Sequence, residues 1–188
     1  KGKSIGISGF VGDTNQTAFQ VAVINQGQIE NVGDVPGLPG GENYTAGYFR
    51  GGDLLDFVLY QPGMKTLRVV SVEKSGSTYQ LSSPKNFEFD QPVRQIVTLT
   101  QGATQKLLIV FLDGLKAAVC NFDGQKAPEI VQTLEAPAEI TGATLADTGL
   151  VLTTQARGGK FSNRYVSFTS QGSTFSPGPL GSLPSLAD

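Results

Sequence analysis

Two neighbouring aspartates are the residues of this chain whose side chains most clearly could take part in catalysis. Asp53 and Asp56 lie three residues apart in a glycine-rich segment. A pair of carboxylic acids can hydrolyse a glycosidic bond when both groups face a cleft at a defined separation. At this short spacing, aspartates more often cap a turn by bonding to its backbone. We therefore interpret the pair as structural and expect no catalytic residue.

The composition excludes several classes of activity. The chain has no histidine and a single cysteine, Cys120, so Ser-His-Asp catalysis, Cys-His catalysis and histidine-ligated zinc are excluded within it. Cys120 lies in an apolar segment, where cysteine is usually a small core residue. The net charge of −2, without a basic run, argues against binding to nucleic acid or an anionic membrane. No apolar stretch is long enough to cross a bilayer, so we expect no membrane insertion.

A weak internal repeat indicates how the chain is organised. A similar short sequence motif that ends in proline occurs four times, at Pro39, Pro84, Pro137 and Pro184, with spacings of about 45 to 53 residues. That period is typical of the four-stranded blades of a β-propeller. We predict one domain over residues 1–188. Its four units cover approximately residues 4–39, 42–90, 91–137 and 138–184.

Each unit contains strand signals and no helical periodicity. A strongly apolar strand follows a polar turn, as in 57–60 and 107–111, and a half-buried alternation follows in 68–72 and 165–168. Glycine and proline interrupt the chain too often for a long helix. We predict an all-β, propeller-like fold of about four antiparallel blades of ~47 residues each. The alternatives are a β-sandwich, or a partial propeller completed by other sequence or by a second chain.

The second unit resembles a known repeat. Residues 47–59 are similar to the FG-GAP / VCBS propeller repeat, with Gly47, Phe49, Gly51 and Asp56 in register with its glycine- and aspartate-rich phrase. The first unit is similar through Gly9, Gly12, Asp13 and Asn15, whereas the third and fourth units keep only the strand pattern. The resemblance implies a propeller scaffold.

In that family the acidic loop often holds calcium, which takes six to eight oxygen ligands. Here Tyr48, Arg50 and Gly52 occupy ligand positions of the repeat, and only Asp53 and Asp56 supply carboxylates. We therefore expect no bound metal and no cofactor.

These observations favour a non-catalytic interaction module that binds a protein or another macromolecule through loops on one face. Loops presented by a rigid scaffold commonly carry function, and aromatic and arginine side chains make good anchors. We predict Tyr48, Arg50 and Asp53 as binding residues and a protein as the partner, with no nucleic acid bound. The alternatives are a carbohydrate-binding, lectin-like propeller or an accessory domain of a polysaccharide-active enzyme. The sequence starts at Lys1 and not at Met, which fits either removal of a signal peptide or a shortened chain. We expect a secreted or periplasmic location.

Overall fold

The structure is a computed structural model that describes residues 3–11, 16–35, 37–38, 41–101, 104–147, 149–155 and 163–182. These residues form sixteen β-strands and no helix, which confirms the all-β prediction. No helix within them has the length and apolar character needed to span a bilayer. Parts of the repeat and of the family resemblance, at residues 12–15, Pro39 and Pro184, lie outside the described residues.

The strands form four antiparallel sheets, each made of consecutive segments of chain. Sheet 1 comprises β1 (Lys3–Val11), β2 (Gln16–Asn25) and β3 (Gln28–Val35). Sheet 2 comprises β4 (Asn43–Gly47), β5 (Asp56–Tyr60), β6 (Thr66–Ser75), β7 (Thr78–Leu81) and β8 (Lys85–Glu88). Sheet 3 comprises β9 (Val93–Gln101), β10 (Thr104–Phe111), β11 (Lys116–Asn121) and β12 (Glu129–Glu135). Sheet 4 comprises β13 (Glu139–Ala146), β14 (Gly149–Gln155), β15 (Asn163–Gln171) and β16 (Thr174–Ser182).

Two sheets depart from the four-stranded pattern. Sheet 1 has three described strands. In sheet 2 the outer edge is divided, because β7 pairs with the second half of β6 and β8 pairs with its first half. Sheet 2 therefore has five strands arranged in four rows.

The central strands β5 and β10 are buried on both faces. In β5, Phe57 and Leu59 face sheet 1, whereas Val58 and Tyr60 face sheet 3. Because successive side chains of a strand point to opposite faces, one uninterrupted apolar run supplies two separate cores. The run 107–110 of β10 divides in the same way between sheets 2 and 4.

Three apolar layers therefore join the sheets in chain order. The layer between sheets 1 and 2 is built around Val21, Val23, Val70 and Val72. The layer between sheets 2 and 3 is the most aromatic, and its rings are Phe49, Tyr60, Phe87, Phe89, Phe111 and Phe122. The layer between sheets 3 and 4 is mainly aliphatic and includes Leu99, Leu108, Leu134, Leu150 and Leu152.

Polar side chains connect neighbouring sheets along their edges. The Thr45 and Thr98 hydroxyls lie 2.7 Å apart and join β4 to β9. The Gln95 amide bridges to Ala143 of β13, donating to its carbonyl at 3.1 Å and accepting from its N–H at 2.9 Å. On the opposite edge, Gln132 of β12 makes the same two-way bridge to the backbone of Phe175, at 2.7 and 2.9 Å. A glutamine amide thus replaces one rung of a β-ladder between separate sheets.

The alternating direction of the strands brings several connections to one end of the stack. The connection from β4 to β5, that from β11 to β12 and the turn from β15 to β16 all lie at this end. We call it the loop end. It presents segments of sheets 2, 3 and 4 side by side.

The two-faced burial of β10 predicts a large effect of one truncation. Leu108 is fully buried between sheets 3 and 4, so Leu108→Ala is expected to lower the free energy of unfolding by about 2–5 kcal/mol. Ile130 is 55% exposed, so Ile130→Ala serves as the matched control and is expected to change it by less than about 0.5 kcal/mol. Urea unfolding measures both. Equal losses for the two variants would contradict the layered core.

Candidate functional site

The connection from β4 to β5, residues 48–55, lies at the loop end. It leaves β4 at Gly47, where the backbone is too crowded for a side chain. A Cβ at Gly47 would lie 2.7 Å from Gln105 Oε1 and 2.7 Å from the Phe49 ring. The next residue, Tyr48, donates its backbone N–H to Gln105 Oε1. The loop of sheet 2 is therefore fixed against the start of β10 in sheet 3.

An ion pair holds the far side of the same loop. Arg50 Nε lies 2.7 Å from Asp56 Oδ1, and Arg50 Nη2 donates to the Val72 carbonyl at 2.7 Å. The Arg50–Asp56 contact is close but poorly aligned for a hydrogen bond, so its attraction is mainly electrostatic. Arg50 thereby connects its own loop to the first residue of β5 and to β6.

Asp56 is fully buried and belongs to the scaffold. Burial raises the pKa of its carboxyl group, and the Ser71 hydroxyl and the Arg50 guanidinium offset part of that rise. Gly124 of the opposite loop approaches it so closely that a Cβ there would lie 3.2 Å from Asp56 Oδ2. Asp53, in contrast, is exposed to solvent. The two aspartates therefore occupy different environments and do not face a common cleft.

A cleft of about 710 Å³ opens at the loop end, between segments of sheets 2, 3 and 4. Its aromatic wall consists of Tyr48, Phe49 and Phe122. Phe49 and Phe122 are buried and meet edge to face, with ring centroids 5.1 Å apart. Tyr48 is 37% exposed and presents its ring to solvent. The buried rings shape the cleft, and Tyr48 is the aromatic side chain available to a ligand.

The polar lining comes from three sequence segments that are far apart. Gln105 and Lys106 begin β10, Asn121 ends β11, and Ser173 belongs to the turn before β16. Asn121 is exposed at the cleft. Lys106 is only 9% exposed, and its Nζ donates to the Ser173 carbonyl at 3.1 Å.

Three exposed charged residues, Asp123, Lys126 and Glu129, also line the cleft. The Asp123 carboxylate accepts the backbone N–H groups of Gln125 and Lys126, each at 2.9 Å. These bonds hold the pKa of Asp123 below its ordinary value. Asp123 therefore stays ionised and stabilises its own turn. A carboxyl group that stays ionised is unsuitable as the general acid in glycoside hydrolysis, which must carry a proton.

No group of three or more metal-binding side chains suited to an ion is found among the described residues. Cys120 is buried between sheets 2 and 3, and burial raises the pKa of its thiol to about 12. A thiol with such a pKa is almost entirely protonated at neutral pH and is a poor nucleophile.

The three binding residues predicted from sequence have distinct positions. Tyr48 lines the cleft, Arg50 is committed to Asp56, and Asp53 is exposed on the loop. Sequence reasoning missed Lys106, Asn121 and Ser173, because nothing in their local sequence shows that three strands converge. One weak signal was present at Lys106, a charge placed directly before the apolar run 107–110.

Comparison with known proteins does not assign the chain to a family. No family model and no curated protein sequence matches it. Among solved structures it resembles a proposed 6-phosphogluconolactonase from Bacteroides uniformis, with 12% sequence identity and a TM-score of 0.41. The match covers 95% of this chain and 68% of that protein. A likeness this distant carries no argument about activity.

The Arg50–Asp56 pair predicts a pH-dependent loss of stability. Arg50→Met is expected to lower the free energy of unfolding at pH 7 by about 3 kcal/mol, because it leaves a buried carboxylate without its cation. As the pH falls toward the ordinary value of 3.8, Asp56 takes up a proton more readily in the folded variant than in the unfolded chain. The difference in the free energy of unfolding between the variant and the wild type should therefore become smaller as the pH falls.

Urea unfolding between pH 4 and pH 7 measures this effect. Arg50→Met introduced into an Asp56→Asn background is the control, since no buried charge remains there to be stranded. A deficit that is the same at every pH and in both backgrounds would show that Arg50 acts through packing alone.

Proposed function

We propose that this chain is a non-catalytic interaction module that binds a protein partner through the cleft at the loop end. The observation that carries the proposal is the construction of the cleft from loops of three sheets, around one exposed aromatic ring. Its volume of about 710 Å³ falls within the range of typical ligand sites. An aromatic anchor that needs little ordering is favourable for protein recognition.

An aliphatic rim beside the cleft supports a protein as the partner. Ile130 and Val131 directly follow Glu129, and they are 55% and 44% exposed. Val131 stands out of register because Val119 pairs with Gln132 and Cys120 pairs with Ile130. This β-bulge leaves Val131 without a cross-strand partner. Exposed apolar side chains next to a concave site are typical of surfaces that bind proteins.

The charges at the cleft support binding without catalysis. Of the two carboxylates that line it among the described residues, Asp123 is held ionised by its own turn and Glu129 is exposed. A hydrolytic pair would need one carboxyl group with a raised pKa beside an ionised one. Asp56 has the raised pKa, but it is buried against Arg50 and does not line the cleft.

For the scaffold we propose a propeller-like arrangement of the four sheets. The side-chain contacts Thr45–Thr98 and Gln95–Ala143 join β4 to β9 and β9 to β13, which are the first strands of consecutive sheets. Contacts that recur between the same strands of consecutive sheets are expected if the sheets are related by rotation about a common axis.

Sedimentation velocity tests how the proposed ring of sheets is completed. The mass of one chain supports a structure completed within it, and twice that mass supports a structure completed by a second copy.

Carbohydrate binding is the second candidate, favoured by the exposed residues Tyr48 and Asn121, which line the same cleft. An aromatic platform and an amide can together bind the apolar face and the hydroxyl groups of a sugar. A glycan array distinguishes the candidates. Saturable binding that Tyr48→Ala abolishes would favour the sugar, and an array without hits would remove this candidate.

Peptide selection tests the main proposal. A random decapeptide library displayed on phage is selected against the purified chain, and Kd values of the recovered peptides are measured by fluorescence anisotropy. Tyr48→Ala is expected to weaken binding about tenfold, as for an aromatic anchor in an interface. Tyr44 is the matched control, since it is also 37% exposed but does not line the cleft. A library that yields no binding peptide, or equal losses for both variants, would overturn the proposal.

A further inference from the structure

Lys106 differs from the other buried or half-buried cations whose side chains are described. Arg50, Arg68 and Arg94 are half-buried, and each forms an ion pair, with Asp56, Glu42 and Glu139 respectively. Lys106 is more buried than any of them, yet no carboxylate of a described residue pairs with it. Within the described structure, the most deeply buried positive charge therefore has no carboxylate counter-ion.

The hydrogen bonding of Lys106 leaves capacity for a ligand. An ammonium group has three donors, and in the described structure Nζ donates to one acceptor, the Ser173 carbonyl at 3.1 Å. Removing a charge from water without full compensation is unfavourable, so a remaining donor gains most from an anionic acceptor. Because both Lys106 and Ser173 line the cleft, such an acceptor can arrive from it.

From this geometry we infer that the cleft recognises an acidic side chain, an Asp or Glu of the partner, through Lys106. The inference rests on the proposed function and names the chemistry that the cleft selects. The acidic group would lie at the end of a mainly neutral segment, with Tyr48 providing apolar contact and Asn121 available to the peptide backbone. Together these groups accept a short extended segment that carries one carboxylate.

The acids at the cleft favour a single negative charge over a highly charged ligand. Asp123 remains ionised, and Glu129 is exposed at the same opening. Both would repel phosphate groups or a run of acids more strongly than they would repel one carboxylate. The exposed Lys126 balances part of this negative charge, but it is solvated and lies next to Asp123 in the turn.

Peptides selected from the random decapeptide library provide the probe. Peptides that bind wild-type protein are expected to share one Asp or Glu at a fixed position. Replacing that residue by Asn or Gln should weaken Kd about tenfold, as for a charge-assisted hydrogen bond. This comparison uses only wild-type protein, so it does not depend on the folding of any variant.

Two lysine variants then locate the contact. Lys106→Met keeps the apolar stem and removes the charge, and it is expected to bind the acidic and amide forms of a peptide with Kd values within about twofold. Lys106→Arg should restore preference for the acidic form. Lys126→Met removes an exposed charge from the same cleft and is the matched control, which should keep the tenfold preference.

The outcomes separate this inference from the proposed function. Peptides that depend on Tyr48 but share no acidic residue would leave the binding module in place and overturn the role of Lys106. An acidic preference lost equally in Lys106→Met and Lys126→Met would show general attraction and would also overturn it. If no peptide binds, the proposed function fails and the inference fails with it.

Discussion

The two-faced burial of β5 and β10 is the constraint on which the rest of the structure depends. Each residue of these strands must pack into one of two different layers, so a shift of one residue would exchange the contents of both layers. The sizes of the side chains make this exchange unfavourable, because Phe57 and Leu59 serve one layer while Val58 and Tyr60 serve the other. The register of the central sheets is thereby fixed, and with it the position of every loop at the loop end.

Specific polar contacts fix how the sheets on either side of an apolar layer are oriented relative to each other. Hydrophobic contact alone would allow neighbouring sheets to slide or rotate. The amide bridges of Gln95 and Gln132 lie on opposite edges of sheet 3 and hold sheet 4 at two separated points. The bond from Tyr48 to Gln105 does the same between sheets 2 and 3, beside the cleft. The cleft is therefore formed by segments that these bonds tie together. A site built in this way would lower the entropy lost if a ligand were bound there.

Local sequence patterns predict the elements of this protein better than they predict its site. The apolar runs 57–60 and 107–111 identify the central strands, because burial on both faces leaves a continuous signal. The loop around Tyr48 is also visible, since glycines and an aromatic residue cluster there. The pairing of Arg50 with Asp56 and the approach of Lys106 to Ser173 depend on how strands and sheets assemble. From sequence alone, Arg50 is therefore expected to bind a partner, whereas in the structure its side chain pairs with Asp56.

The divided outer edge of sheet 2 has a consequence for the behaviour of the protein at high concentration. A long exposed strand offers a row of unpaired backbone groups onto which another chain can add and begin aggregation. Here the edge consists of β7 and β8, each four residues long, with Pro84 between them. Proline lacks an N–H donor, and the adjacent Lys85 adds a charge that a second copy would have to approach. The interruption therefore limits self-association through this edge while leaving the internal pairing of β6 intact.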